Sequence, residues 1–108
     1  MKYKTHNEKN IDVNGTFYQG YIDINYFVLI ETFGSSVAIE EPYKVDWEWD
    51  IEFEDGTVAT VYNWKNGPGY GGRATHGGEV KRWHVGGHSQ RAVENVQALF
   101  KLRSINNR

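Results

Sequence analysis

Residues 44–64 read KVDWEWDIEFEDGTVATVYNW, and this stretch decides the fold that we predict for the chain. From Asp46 to Glu54 every even position is a carboxylate and every odd position is a large apolar residue. Because successive side chains of a β-strand point to opposite faces, the alternation predicts a strand with one acidic and one apolar face.

The dipeptide Asp55-Gly56 predicts a two-residue turn after this strand, with TVATVYNW as the returning strand. A two-residue turn places the large apolar residues of the two strands opposite one another. The predicted pairs are Phe53 with Val58, Ile51 with Thr60, Trp49 with Tyr62, and Trp47 with Trp64. We therefore expect one face of the hairpin to be aromatic.

Weaker local signals place the next elements along the chain. Asn14-Gly15 predicts another hairpin within residues 11–24. Residues 26–33 predict a short helix that Asn25 caps and Gly34 ends, although the β-branched content leaves a strand as the alternative. Three residues have the spacing to share one face of that helix: Phe27, Ile30 and Phe33.

The C-terminal half contains a glycine-rich loop, at residues 66–79, followed by a predicted strand, EVKRWHV, and an amphipathic helix. The apolar side of that helix consists of Ala92, Val93, Val96, Leu99 and Phe100. We predict one α+β domain over residues 1–108, in which helices at about 26–33 and about 89–103 cover one face of an antiparallel sheet. Flexible ends are expected at about 1–8 and 104–108.

The composition argues against several classes of protein. A net charge of −2 does not suit a nucleic-acid surface spread over the whole chain, so no direct nucleic-acid binding is expected. The absence of cysteine excludes disulfides and thiolate metal sites, and suits a reducing cytoplasm. No apolar run approaches the roughly 20 residues that a membrane helix requires.

The acidic row is the first candidate site, and it consists of Asp46, Glu48, Asp50, Glu52 and Glu54. Its simplest interpretation is a solvated face that keeps the sheet from aggregating. The functional interpretation is a docking surface for a basic partner, which could include mimicry of the charges on a DNA strand. Acid–base catalysis by two of these carboxyls would require a cleft that separates their pKa values, and a flat exposed face supplies none.

The start of the last helix is the second candidate site. Two glycines and Ser89 precede the helix, where backbone N–H groups attract anions, and Arg91 could add charge. The full set of candidate residues for an anion or nucleotide is Arg73, Trp83, His84, Gly86, Gly87, His88, Ser89 and Arg91. The alternative is that Ser89 only caps the helix and the glycines only make the turn. No metal site, catalytic residue or cofactor is predicted, since His84 and His88 flank two glycines that disfavour a helix.

Three blocks, GTFYQGYI, FEDGTVATVYNWK and RWHVGGHSQRAVENV, resemble small accessory proteins of tailed bacteriophages and prophages. The resemblance covers roughly residues 15–100, and the loop GPGYGGRATHGG departs from it by its glycine content. It implies a protein that acts in the cytoplasm of the bacterial host, where such proteins often block defence systems. It implies no catalytic residues.

These observations lead to three functional hypotheses. The first is a non-enzymatic phage protein that inhibits a host factor, such as a CRISPR or other immunity component, by direct binding. The second is a sponge for a phosphate-bearing signalling nucleotide. The third is a virion protein or a small hydrolytic enzyme. Edge strands and exposed aromatic residues would also allow a homodimer.

Overall fold

The computed structural model describes residues 1–40, 42, 44–72 and 74–106. These residues contain five β-strands, two α-helices and two short 3₁₀ turns. The strands are β1 (Tyr3–Thr5), β2 (Phe17–Asp23), β3 (Glu48–Phe53), β4 (Val58–Tyr62) and β5 (Arg82–Gly87). The helices are α1 (Tyr26–Phe33) and α2 (Arg91–Asn106), and the 3₁₀ turns are Pro68–Tyr70 and Gly77–Glu79.

The strands form one antiparallel sheet in the order β1-β3-β4-β5-β2. Both helices pack on the same face, called the inner face, and share one apolar core with it. The chain is therefore a small, compact α+β domain, as the sequence predicted. β1 lies within the segment that was expected to be a flexible end, yet it pairs with β3 and Thr5 is buried.

The β3–β4 hairpin was predicted correctly as an element and wrongly in its register. Trp49 pairs with Val61, not with Tyr62. Phe53 N–H donates to the Thr57 carbonyl at 2.8 Å, so the turn contains three residues, and its last residue, Gly56, has a φ of 88°. This is the three-residue hairpin with a left-handed glycine. The extra turn residue shifts the register by one and moves Tyr62 onto the face that Glu48 occupies.

The predicted hairpin around Asn14-Gly15 is absent from the described residues. The chain does turn there, since Thr16 N–H donates to the Val13 carbonyl at 3.2 Å and Gly15 has a φ of 79°. No strand precedes that turn, and β2 instead pairs with β5. Residues 11–16 form an irregular segment. Within it Ile11 is buried, although it is not part of the main core.

α1 begins and ends where the sequence predicted. The Asn25 side chain accepts a hydrogen bond from Phe27 N–H at 2.7 Å, and Gly34 has a φ of 85°. The three residues predicted to share one face of α1 differ in exposure, because Phe27 and Ile30 are exposed while Phe33 is buried. Leu29 is the other residue of α1 that is buried in the core. All five residues predicted for the apolar side of α2 contact the core.

Asn63, at the end of β4, ties two irregular segments together. Its Oδ1 accepts hydrogen bonds from the backbone N–H groups of Asp46 and Trp47, and its Nδ2 donates to the side chains of Asp46 and Asn66. A Cβ on Gly67 would lie 1.9 Å from the Asp46 carboxylate, so only glycine fits there. The glycine-rich loop is thus folded against the strand by specific contacts.

Within the described part of the chain, no helix is long and apolar enough to cross a membrane.

Candidate binding site on the outer sheet face

The outer face of the sheet is the face opposite both helices. Strand alternation places Glu48, Asp50 and Glu52 of β3 on it, because Trp49, Ile51 and Phe53 point into the core. Across β4, β5 and β2 it carries a cluster of rings, which we call the outer aromatic patch: Tyr18, Tyr21, Tyr62, Trp64 and His84.

Four rings of the outer aromatic patch contact one another, and the ring of Tyr21 contacts the Arg82 guanidinium. His84 lies 4.8 Å from Tyr18 and 5.6 Å from Tyr62, and it stacks with Trp64 at 6.4 Å, measured between ring centroids. Three of the rings are nonetheless well exposed: Tyr18 at 51%, Tyr21 at 45% and Trp64 at 40%. Burial lowers the pKa of His84, which favours the neutral imidazole at pH 7.

A β-bulge brings two of these tyrosines together. Tyr18 and Tyr21 are three residues apart, a spacing that puts side chains on opposite faces of a regular strand. The β2–β5 register shifts between Tyr18 and Gly20, so that Tyr18 pairs with Gly86 and Tyr21 pairs with His84. Both tyrosines therefore lie on the outer face.

Glu48 and Asp50 form a carboxyl pair beside the patch. Glu48 is half-buried and lies opposite Tyr62, and Asp50 is 9% exposed and lies opposite Thr60. The pKa of Glu48 is raised to about 8. Burial is the largest cause, followed by the hydrogen bond to Asp50 and then by the charge of Asp50. Among the described residues, Asp50 Oδ1 has no hydrogen-bond donor when both carboxyls are ionised, and a proton on Glu48 gives the Asp50 carboxyl one.

A cleft of about 290 Å³ opens beside Glu48, the less buried member of this pair. Its lining includes Glu48, Tyr62 and Trp64 on the sheet side, with Val13 and Thr16 from the irregular segment. A larger depression of about 660 Å³ lies near the N-terminus. Its Lys9 and Glu52 already pair with each other at 2.6 Å, so we place the candidate site at the smaller cleft.

The acidic row does not form one uniform surface. The carboxylate of Asp46, which precedes β3, accepts hydrogen bonds from Asn63 Nδ2 and Gly69 N–H. Asp50 is buried, Glu52 is paired with Lys9, and Glu54 lies at the hairpin turn. The expectation of a flat exposed face was wrong at two positions: Glu48 is half-buried beside a cleft, and Asp50 is buried.

The predicted anion site at the start of α2 is not assembled. Trp83 is fully buried and donates its indole N–H to the Ile24 carbonyl, so it offers no stacking surface. Gly86 and Gly87 belong to β5, and Arg91 is 3.3 Å from Asp55. Ser89 Oγ accepts from Arg91 N–H, which agrees with a capping role.

The remaining predicted residues are dispersed. His84 belongs to the outer aromatic patch, whereas the His88 ring lies next to Gly15. Arg73 lies outside the described residues. No group of three His, Asp or Glu side chains that could hold a metal ion occurs in the described ranges.

Comparisons of the chain with protein-family models, with curated proteins and with solved structures found no match.

Proposed function

We propose that this protein is a non-enzymatic inhibitor that binds a bacterial host protein, a component of an immunity system, through its outer aromatic patch. The observation that carries the proposal is a cluster of exposed aromatic rings on three neighbouring strands, on the sheet face opposite both helices. The resemblance of three sequence blocks to phage accessory proteins supports the host setting.

The chemistry of the patch favours a protein partner. Tyrosine and tryptophan are enriched at the energetic centres of protein interfaces because they bury large area with little loss of side-chain entropy. Strands also hold these side chains in fixed positions, which lowers the entropic cost of association. Two residues of the acidic row, Glu48 and Asp50, lie beside the patch. We expect these two, and not the whole row, to contribute to partner binding.

The test is capture from bacterial lysate followed by an assay of the captured protein. Tagged wild type is compared with Tyr21→Ala, which removes an exposed ring from the patch, and with Phe27→Ala, which removes an exposed ring from α1. We expect one host protein to be retained by the wild type and by Phe27→Ala, and to be lost from Tyr21→Ala.

Inhibition of the purified host protein completes the test. We expect wild type and Phe27→Ala to inhibit its activity equally, and Tyr21→Ala to inhibit it at least about tenfold less well, as for an interface hot spot. Equal inhibition by all three proteins would contradict the proposal. Retention of a nucleotide instead of a protein would support a sponge.

A further inference from the structure

We infer that the cleft beside Glu48 receives a cationic side chain, an arginine or a lysine, from the partner protein. This inference rests on the proposed function and specifies the chemistry of the partner. The carboxyl pair, the aromatic walls and the size of the cleft each support it.

The carboxyl pair supplies the charge. Asp50 is more than nine-tenths buried and does not itself line the cleft. Two neighbouring carboxylates repel each other when both are ionised, so positive charge in the cleft beside Glu48 would offset that repulsion. Glu48 lines the cleft directly, next to Asp50 on the same face of β3.

The aromatic walls suit a cation as well. Tyr62 lies opposite Glu48, and Trp64 also lines the cleft. Cations of the chain itself already use rings of the patch: Lys65 Nζ is 5.8 Å from the Trp64 ring, and the Arg82 guanidinium is 3.9 Å from the Tyr21 ring. An aromatic ring beside a carboxylate is a combination that binds ammonium and guanidinium groups.

The size of the cleft favours one side chain over a whole nucleotide. Its volume of about 290 Å³ lies just below the roughly 300–1,000 Å³ of small-molecule pockets. A long, thin cationic side chain fits this space while the rest of its protein contacts the exposed rings around it.

Proton release is the expected signature of binding. Glu48 holds a proton at neutral pH, and a nearby cation favours the ionised carboxylate. The titratable side chains next to Glu48 are Asp50 on β3 and Tyr62 on β4, with His84 and Tyr18 farther across the outer face. The charged groups beside the cleft are Lys44 and Lys65, whose Nζ atoms lie over the Trp64 ring. Affinity for a cation should therefore rise with pH as Glu48 loses its proton.

The experiment uses the peptide acetyl-Gly-Arg-Gly-amide and its citrulline counterpart, which has nearly the same shape without the charge. Titrations are followed by NMR at the Trp64 indole N–H and at the backbone amides of Glu48 and Tyr62. We expect saturable shifts with the arginine peptide only, with affinity rising from about pH 6 to about pH 9. Similar shifts with both peptides would overturn the inference.

The variant Glu48→Gln retains the shape of the side chain and its ability to donate to Asp50. We expect it to bind the arginine peptide about tenfold more weakly and to lose most of the pH dependence. The matched control is Glu94→Gln, which changes an exposed carboxyl on α2 and should leave binding unchanged. Unaltered affinity in Glu48→Gln would also overturn the inference.

The two proposals can fail separately. If Tyr21→Ala loses inhibition of the host protein, but Glu48→Gln inhibits as well as wild type and the arginine peptide does not compete, the inference fails and the proposed function stands. If Tyr21→Ala inhibits as well as wild type, the proposed function fails. If the arginine peptide competes with the host protein for binding, and the citrulline peptide does not, both proposals are supported.

Discussion

Glu48 is the residue whose behaviour differs most from that of an ordinary surface carboxylate. It belongs to a strand where the sequence alone suggests a solvated row, yet burial and the neighbouring Asp50 raise its pKa to about 8. A group with a raised pKa binds its proton more tightly in the folded state than in the unfolded state. Its contribution to stability is therefore complete below its ordinary value of 4.5 and is lost as the pH rises through about 8.

We predict that Glu48→Gln reduces the loss of stability on raising the pH from about 5 to about 8. The glutamine cannot ionise, and its amide can still donate to Asp50. Thermal unfolding of both proteins is measured across this range. The Tm of Glu48→Gln relative to that of the wild type should rise by a few degrees between about pH 5 and about pH 8. His84 titrates in both proteins and cancels in the difference. A pH-independent difference would contradict the raised pKa.

At the scale of elements, the irregular segments are held by side chains rather than by further strands. The β3–β4 turn is joined to α2 through Asp55, whose carboxylate contacts Arg91 and Asn95. Hydrogen bonds from Thr57, and then from Asn95 and Arg91, hold the pKa of Asp55 well below its usual range. At the other end of the hairpin, Asn63 holds the segment before β3 against the glycine-rich loop.

We predict that Asn63→Ala lowers the free energy of unfolding by about 1–3 kcal/mol, because it leaves two backbone N–H groups without their acceptor and removes one of the donors to the Asp46 carboxylate. Asn66→Ala removes only one contact to Asn63 and should cost less than about 1 kcal/mol. Urea unfolding of the two variants measures the difference. Equal costs would show that Asn63 is not the residue that joins the segments.

For the molecule as a whole, the two faces of the sheet place aromatic residues in different environments, buried on the inner face and partly exposed on the outer face. Trp49 and Trp83 are fully buried under the helices, with ring centroids 5.5 Å apart, and Tyr26 of α1 stacks on Trp83 at 6.1 Å. Trp64 lies on the opposite face and is substantially exposed. The same residue type thus has a different environment on each side of one sheet, and we expect the substitutions below to have different effects.

We predict that Trp83→Ala lowers the free energy of unfolding by about 3–5 kcal/mol, since it leaves a large cavity in the core. Such a loss can unfold a domain whose total stability is about 5–15 kcal/mol. Trp64→Ala should cost no more than about 1 kcal/mol and should weaken partner binding instead. Comparable losses of stability from both substitutions would contradict this expected difference.

Features that depend on local periodicity and capping could be predicted from the sequence. The alternation in β3, the bounds of α1 between Asn25 and Gly34, and the apolar side of α2 are all readable from neighbouring residues. The sequence signals for the outer aromatic patch were weaker, although Gly20 within FYQGYID is a typical mark of a bulge.

The pairing of the strands and their register depend on contacts between residues that are distant in the sequence. Packing of the sheet against both helices sets three features: the length of the β3–β4 turn, the pairing of β2 with β5, and the bulge in β2. The free energy of this packing is spread over the residues of the whole core, so no short stretch of sequence reveals it. A shift of one residue exchanges the two faces of a strand. The carboxyl pair acquires its cleft and its tyrosine neighbour because that packing placed Tyr62 beside Glu48.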